Sequence, residues 1–140
     1  LSNRANVLHI LLVEDNTADV MLVREALRSC SIAADVIIAY DGEQALKFLD
    51  KLNFRPDFVL LDLNIPKFDG YVVLDKYHQQ GGPPVIVLTA SDREEDKQRA
   101  LALGARDYVV KPRGLYDFIS AVHAILERWQ SEMASQAAEG

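Results

Sequence analysis

Glu14, Asp15, Asp62, Thr89 and Lys111 each stand at or just beyond the end of a short apolar run: "HILLV" (9–13), "FVLL" (58–61), "VIVLT" (85–89) and "DYVV" (107–110). A carboxylate that closes a core segment either caps a turn or does chemistry. If these runs are neighbouring strands, Glu14, Asp15 and Asp62 bring −3 to one spot and Lys111 adds +1, leaving −2. Crowded carboxylates repel, and one of them normally takes up a proton; a divalent cation can balance the charge instead. The donors are hard oxygens with no His or Cys beside them, so Mg²⁺ fits better than Zn²⁺, and Mn²⁺ could substitute. Mg²⁺ uses only one or two carboxylates and leaves room for a phosphoryl group. Asp62 could then be both ligand and nucleophile, because an aspartate can attack phosphorus to give an acyl phosphate. The metal and Lys111 would neutralise the phosphoryl oxygens, and Thr89 would donate a hydrogen bond to one of them.

These residues need elements to bring them together, and the chain supplies a regular alternation. After the first run, Leu22, Val23, Ala26, Leu27 and Cys30 recur at helical spacing, with Asn16 or Thr17 as the cap and Asp19 in the first turn. "DVIIAY" (35–40) reads as a second strand, and Ala45, Phe48, Leu49 and Leu52 as a second helix. The third strand is 58–61, followed by a shorter helix marked by Gly70, Val73, Leu74 and Tyr77. "QQGGPP" (79–84) breaks the chain before the fourth strand, 85–89. Residues 92–103 give a fourth helix with only a weak stripe, Ala100, Leu101 and Leu103. A fifth strand, 107–110, precedes a long stripe from Phe118 to Trp129, and the small polar residues of 131–140 are expected to fray. Strict strand–helix alternation with continuously apolar strands predicts an α/β fold, a doubly wound flavodoxin-like (βα)5 with a parallel five-stranded sheet of order 2-1-3-4-5. Such sheets carry their sites at the carboxyl ends of the strands. In that order the first and third strands are neighbours, so the acids converge there, while Tyr40 at the end of the second strand lies outside.

The motifs "LLVEDN" (11–16), "LLDLNIPKFDG" (60–70), "VLTAS" (87–91) and "DYVVKP" (107–112), in this order at the strand ends, resemble the receiver domain of two-component response regulators. The resemblance covers roughly residues 8–128, so the domain is placed at 8–129 with flexible termini at 1–7 and 130–140. It implies that Asp62 is the phosphoacceptor and that Asp15 binds the metal directly, with Glu14 acting mainly through water. It implies further that the carbonyl of Asn64 is a metal ligand and that Thr89 and Lys111 contact the phosphoryl group. Tyr108 matches the aromatic switch residue that swings inward when the threonine moves, and the Lys111–Pro112 peptide is expected to be cis. The acidic pair is Glu-Asp rather than Asp-Asp, and Asn64 and Ser91, both short and neutral, border the site. "ILLVEDNTADVMLVREAL" and "AILERWQ" (124–130) look most like the single-domain regulators partnered with bacterial phytochrome-type histidine kinases.

The implied function is a signalling switch and not a turnover enzyme: it takes a phosphoryl group from a sensor histidine kinase or phosphotransfer protein and loses it slowly by itself. Output is expected through contact with a downstream protein, or through a homodimer, at the face formed by the fourth helix, fifth strand and fifth helix. Arg99, Arg106, Asp107 and Arg113 are its exposed candidates. The same receiver could also belong to a longer DNA-binding regulator or hybrid kinase. An Asp-nucleophile phosphohydrolase would need a second Asp where Asn64 stands, and a flavin-binding module would need a phosphate-cradling loop where "VEDNTAD" is acidic.

Bulk properties agree with these readings. The 140 residues suit one domain, and a net charge of −6 argues against nucleic-acid binding by this chain. The single cysteine, Cys30, cannot form an internal disulfide, and no apolar run approaches a membrane span, so a cytoplasmic protein is expected. Cys30 continues a helical stripe and reads as a core thiol. His9, His78 and His123 lack ligand spacing, and Asp69 before Gly70 reads as a cap.

Overall fold

The computed structural model describes residues 7–51, 55–67 and 69–139, without the side chains of 138 and 139. Among the described residues ten elements alternate strand and helix: β1 (Leu8–Val13), α1 (Thr17–Ser29), β2 (Ala34–Ala39), α2 (Gly42–Leu49), β3 (Phe58–Leu61), α3 (Gly70–Gln79), β4 (Val85–Thr89), α4 (Glu94–Ala102), β5 (Asp107–Val110) and α5 (Leu115–Glu139). The five strands form one parallel sheet in the order β2-β1-β3-β4-β5. The expected (βα)5 architecture is therefore the observed one. Leu52, read as the last apolar position of α2, and Phe68, in the turn before α3, lie outside the described residues.

Side chains alternate across a strand, and this divides the core in two. Ile10, Leu12, Phe58, Leu60, Ile86 and Leu88 face α1 and α5. Leu11, Val13, Val59, Leu61, Val85 and Val87 face the helices of the other side, meeting Ala45, Val73, Leu74, Tyr77 and Ala100. Every residue of β3 and β4 is buried, which explains why these strands read as unbroken apolar runs. Trp129 closes the first half of the core, its ring centroid 4.9 Å from that of Phe58.

Local chemistry sets the entries to the helices. The side chains of Asn16, Asp41 and Asp69 each accept a backbone N–H at the start of α1, α2 and α3. Asp69 is thus the cap that its place before Gly70 suggests. Gly70 itself is dictated by space, since a Cβ there would stand 2.5 Å from the Leu63 Cα. By contrast α4 has no side-chain cap and a single buried residue, Ala100, in keeping with its weak stripe.

Two expectations are corrected. The chain does not fray after Trp129: α5 continues to Glu139. Ala, Gln, Glu and Met are good helix formers, and the extension is anchored, with Arg106 bonded to Glu132 at 2.8 Å, its guanidinium 5.1 Å from the Trp129 ring, and Met133 packed on the core. The Lys111–Pro112 peptide is trans, as are all peptides among the described residues. Trans is intrinsically preferred by ~0.5–1 kcal/mol even before proline, and Lys111 reaches its partners from that geometry.

Candidate functional site

Register builds the site. Val13 pairs with Leu61 across β1 and β3, so the next residues, Glu14 and Asp62, leave the sheet side by side. The backbone still runs in sheet fashion there: the Asp62 N–H donates to Val13 O at 3.0 Å, and the Glu14 N–H to Ala39 O at 2.9 Å. Leu61 pairs with Val87, which sets Thr89 just past Asp62 on the neighbouring strand. Thr89 pairs with Val110, and the Lys111 N–H donates to Thr89 O at 2.7 Å, so Lys111 starts from the same edge.

The side chains then meet. The Lys111 Nζ donates to Glu14 Oε1 at 2.6 Å, to Asp19 Oδ2 at 2.7 Å and to Asp62 Oδ2 at 2.8 Å. Asp62 is 7% exposed, and its other oxygen, Oδ1, accepts from Thr89 Oγ1 at 3.0 Å and from the Asn64 N–H at 3.1 Å. Glu14, 2% exposed, uses Oε2 to accept from the Asn16 N–H at 3.2 Å. Asp15 is exposed beside it. Each buried carboxylate is thus paired and hydrogen-bonded, without which burial of the charge would be strongly unfavourable.

Burial pushes the Glu14 carboxyl up to about 7, against the opposing hydrogen bond from Lys111. For Lys111 burial alone would favour the neutral amine, but the hydrogen bonds to Asp19, Asp62 and Glu14 outweigh it and hold the pKa above the ordinary lysine value. The ammonium is therefore a fixed positive charge at the sheet edge. It does not balance the site: with every carboxyl ionised, Glu14, Asp19 and Asp62 give −3 against +1, a net −2, and Asp15 makes it −3; a proton on Glu14 would leave −2.

This excess negative charge, carried by oxygen donors alone, is the chemistry a hard divalent cation suits. The donors are not gathered for one as they stand. Among the described residues no three of His, Cys, Asp and Glu are placed to hold a metal; Lys111 bridges Glu14, Asp19 and Asp62 instead. A cation held by both Glu14 and Asp62 would compete for oxygens that Lys111 bonds here.

Beyond Asp62 opens a cleft of about 600 Å³ lined by Asp62, Asn64, Asp69, Tyr71, Ser91 and Asp96, among others. Its far wall is a polar network. Tyr108, 8% exposed, points inward and donates its hydroxyl to Ser91 O at 2.8 Å. Asp96 at the start of α4 accepts from the Ser91 hydroxyl at 2.5 Å and from the Tyr71 hydroxyl at 3.0 Å. The hydrogen bond from Ser91, then that from Tyr71, holds the Asp96 carboxyl below its ordinary range. Arg99 lies over the Tyr71 ring at 3.9 Å.

The structure therefore brings Glu14, Asp62, Thr89 and Lys111 into one bonded cluster, with Asn64 joined through its backbone, and leaves Asp15 on the rim. Two features escape the sequence reading. Asp19 reads as an ordinary first-turn helix acid; the signal is its place three residues after the Asn16 cap, which turns that position toward the sheet edge. The Tyr71–Asp96–Ser91 network joins three separate elements, and no spacing in the sequence encodes it.

Comparison with known proteins agrees with this geometry. The response regulator receiver domain family matches residues 10–123. The response regulator Rcp1 of Synechocystis sp. is 39% identical over 137 residues, covering 92% of this chain and 93% of that protein. The alkaline phosphatase synthesis transcriptional regulatory protein PhoP of Bacillus subtilis is 40% identical over 131 residues; the match covers 93% of this chain but only 52% of PhoP. Among solved structures, the Mn²⁺-bound form of Rcp1 superposes with a TM-score of 0.79 at 39% identity, covering 87% of this chain and 94% of that one. The phosphorylated cyanobacterial phytochrome response regulator RcpA gives 0.81 at 36% identity, covering 89% and 95%. With the strand order, the edge carboxylates and these matches in agreement, the chain belongs to the receiver domain family of response regulators.

Proposed function

We propose that Asp62 is the phosphoacceptor of this receiver and that Glu14, Asp15, Asp62 and the main-chain carbonyl of Asn64 hold the divalent cation the reaction needs, Mg²⁺ or Mn²⁺. One observation carries the reading: a buried aspartate at the end of the central strand is bonded at once to a fixed ammonium, Lys111, and to a buried hydroxyl, Thr89. That set supplies a nucleophile together with two groups able to take hold of the transferred oxygens. When bound, the cation supplies the positive charge that draws the phosphoryl oxygens toward the carboxylate. That Rcp1 has a Mn²⁺-bound form and RcpA a phosphorylated one supports both parts of the proposal.

The donor is a phosphohistidine of a sensor histidine kinase or of a phosphotransfer protein. An Asp62 oxygen forms a bond to phosphorus as the phosphorus–nitrogen bond breaks; the imidazole nitrogen keeps the electron pair and takes a proton from solvent. Nothing is oxidised or reduced. Water later attacks phosphorus and releases the carboxylate, so the chain loses its own phosphoryl group without turning over a substrate. The phosphoryl oxygens draw Thr89 and Lys111 toward them, and Tyr108, bonded to the loop after Thr89, carries the shift to α4, β5 and α5. Only two pre-existing states need be rebalanced. Output follows by contact with a downstream protein or by homodimerisation through that face. The likeness to RcpA favours a phytochrome-type kinase as donor, which would place the exchange in the cytoplasm. Asn64, neutral where a hydrolase needs its acid, speaks against phosphohydrolase chemistry.

The test is incubation with a small acyl phosphate and Mg²⁺, followed by measurement of acid-stable, base-labile phosphate. The wild-type chain is expected to incorporate one phosphoryl group, and Asp62→Asn none at that site. Undiminished incorporation in the variant overturns the assignment.

A further inference from the structure

Lys111 has three N–H bonds, and all three are spent on carboxylates: Glu14, Asp19 and Asp62. Two of these acceptors lie in the set proposed above for the cation, and one also takes the phosphoryl group. Once either is claimed, the ammonium, with a side chain only 9% exposed, must find other partners, because an unpaired charge at that depth is strongly unfavourable. Asp19 stands apart. It lies in the first turn of α1, its N–H held by the Asn16 side chain at 3.1 Å, and among the described residues its carboxylate is ion-paired with Lys111. Asp19 belongs to α1 and not to a strand end, and its carboxylate lies 2.7 Å from the ammonium.

We propose that Asp19 is a positioning residue for phosphoryl transfer. It retains the Lys111 ammonium at the sheet edge while Glu14 and Asp62 pass to the cation and the phosphoryl group. The inference rests on the reading of Asp62 as acceptor. Before a phosphoryl group arrives, Lys111 without Asp19 keeps only Glu14 and Asp62 as carboxylate partners, the ones the cation needs, so it competes with the cation directly. With Asp19 present, Lys111 yields an oxygen and remains paired. Asp19 acts through Lys111 and touches no reacting atom.

The experiment is a double-mutant cycle read by Mn²⁺ titration, with electron paramagnetic resonance of the free ion, and by the rate of phosphorylation from a small acyl phosphate. Asp19→Asn is expected to weaken Mn²⁺ roughly five- to tenfold and to slow phosphorylation in step. In a Lys111→Met background the same change should have little effect, since the residue it acts through is gone. An Asp19→Asn loss of equal size in both backgrounds marks a mere charge effect and overturns the proposal, as does no loss in either. Should Lys111→Met fail to fold, Asp96→Asn serves as the reference, removing a carboxylate charge from the cleft wall with no bond to Lys111. An equal loss from Asp96→Asn and Asp19→Asn likewise overturns the proposal. Failure of the underlying reading looks different: the wild-type chain then takes no phosphoryl group on Asp62 whatever Asp19 does.

Discussion

Asp62 divides its two oxygens between two kinds of partner, and the division shapes what each substitution does. Oδ2 meets the Lys111 charge; Oδ1 meets the neutral donors Thr89 Oγ1 and Asn64 N–H. Thr89→Val keeps the shape of the side chain but removes the hydroxyl, leaving a buried carboxylate oxygen one donor short. The expected cost is about 1–2 kcal/mol, measured by urea denaturation. The same variant should still accept a phosphoryl group, because Asp62, the proposed nucleophile, and Lys111 remain. If Thr89 and Tyr108 move together as proposed above, it should lack the near-ultraviolet signal change that reports movement of Tyr108, since the Thr89 hydroxyl is gone. A wild-type signal change in Thr89→Val would remove threonine from the switch. Asp62, Glu14, Thr89 and Lys111 were legible as a set because each ends an apolar run, and strand ends in a parallel sheet share one edge. Asp19 was not, because its role depends on how α1 is rotated against the sheet.

The elements differ in how firmly they are held. α3 buries five residues and enters through a turn with no room for a side chain at Gly70, whereas α4 buries only Ala100. What fixes the start of α4 is polar: Asp96 bonded to Ser91 and Tyr71. That bonding has a pH signature. The Asp96 carboxyl is held below its ordinary value of 3.8, so the native state binds its proton less tightly than the unfolded chain does. Its contribution is complete above about pH 4 to 5 and is lost as the pH falls through the depressed native value. The stability difference between wild type and Asp96→Asn is expected to be constant near neutrality and to shrink in acid, as read by denaturant unfolding at each pH. A difference that holds or grows in acid contradicts the sign. Hydrogen exchange should also find α4 opening more readily than α3.

At the scale of the whole molecule the sheet is a partition. The face toward α1 and α5 is closed by Trp129 on Phe58, and the opposite face by α2, α3 and α4. Trp129 is the chain's one tryptophan and is 6% exposed, so its fluorescence reports on the first half of the core alone. Trp129→Ala is expected to cost about 3–5 kcal/mol, seen as a lower denaturation midpoint by circular dichroism. In the wild type, fluorescence and circular dichroism should give coincident transitions, because both halves share the same strands. Separate transitions would mean that the two faces unfold independently. The extension of α5 adds less: Arg106–Glu132 is half-exposed, and such pairs contribute roughly 0–1 kcal/mol.

The sequence by itself determined the architecture, the strand order and the carboxyl edge at which the chemistry gathers. Alternating periodicities leave few ways to bury continuous apolar strands on both faces, and one of them puts Glu14, Asp62, Thr89 and Lys111 together. Only the tertiary structure decided how those groups share charge. Lys111 is saturated by three carboxylates, one of them Asp19; Asp15 stands exposed; Tyr108 is turned inward onto Ser91; and α5 runs on past Trp129. Each of these depends on side chains from elements far apart in the chain reaching one point. Periodicity reports which face a residue occupies, but not which of several acids on that face lies within 3 Å of an ammonium.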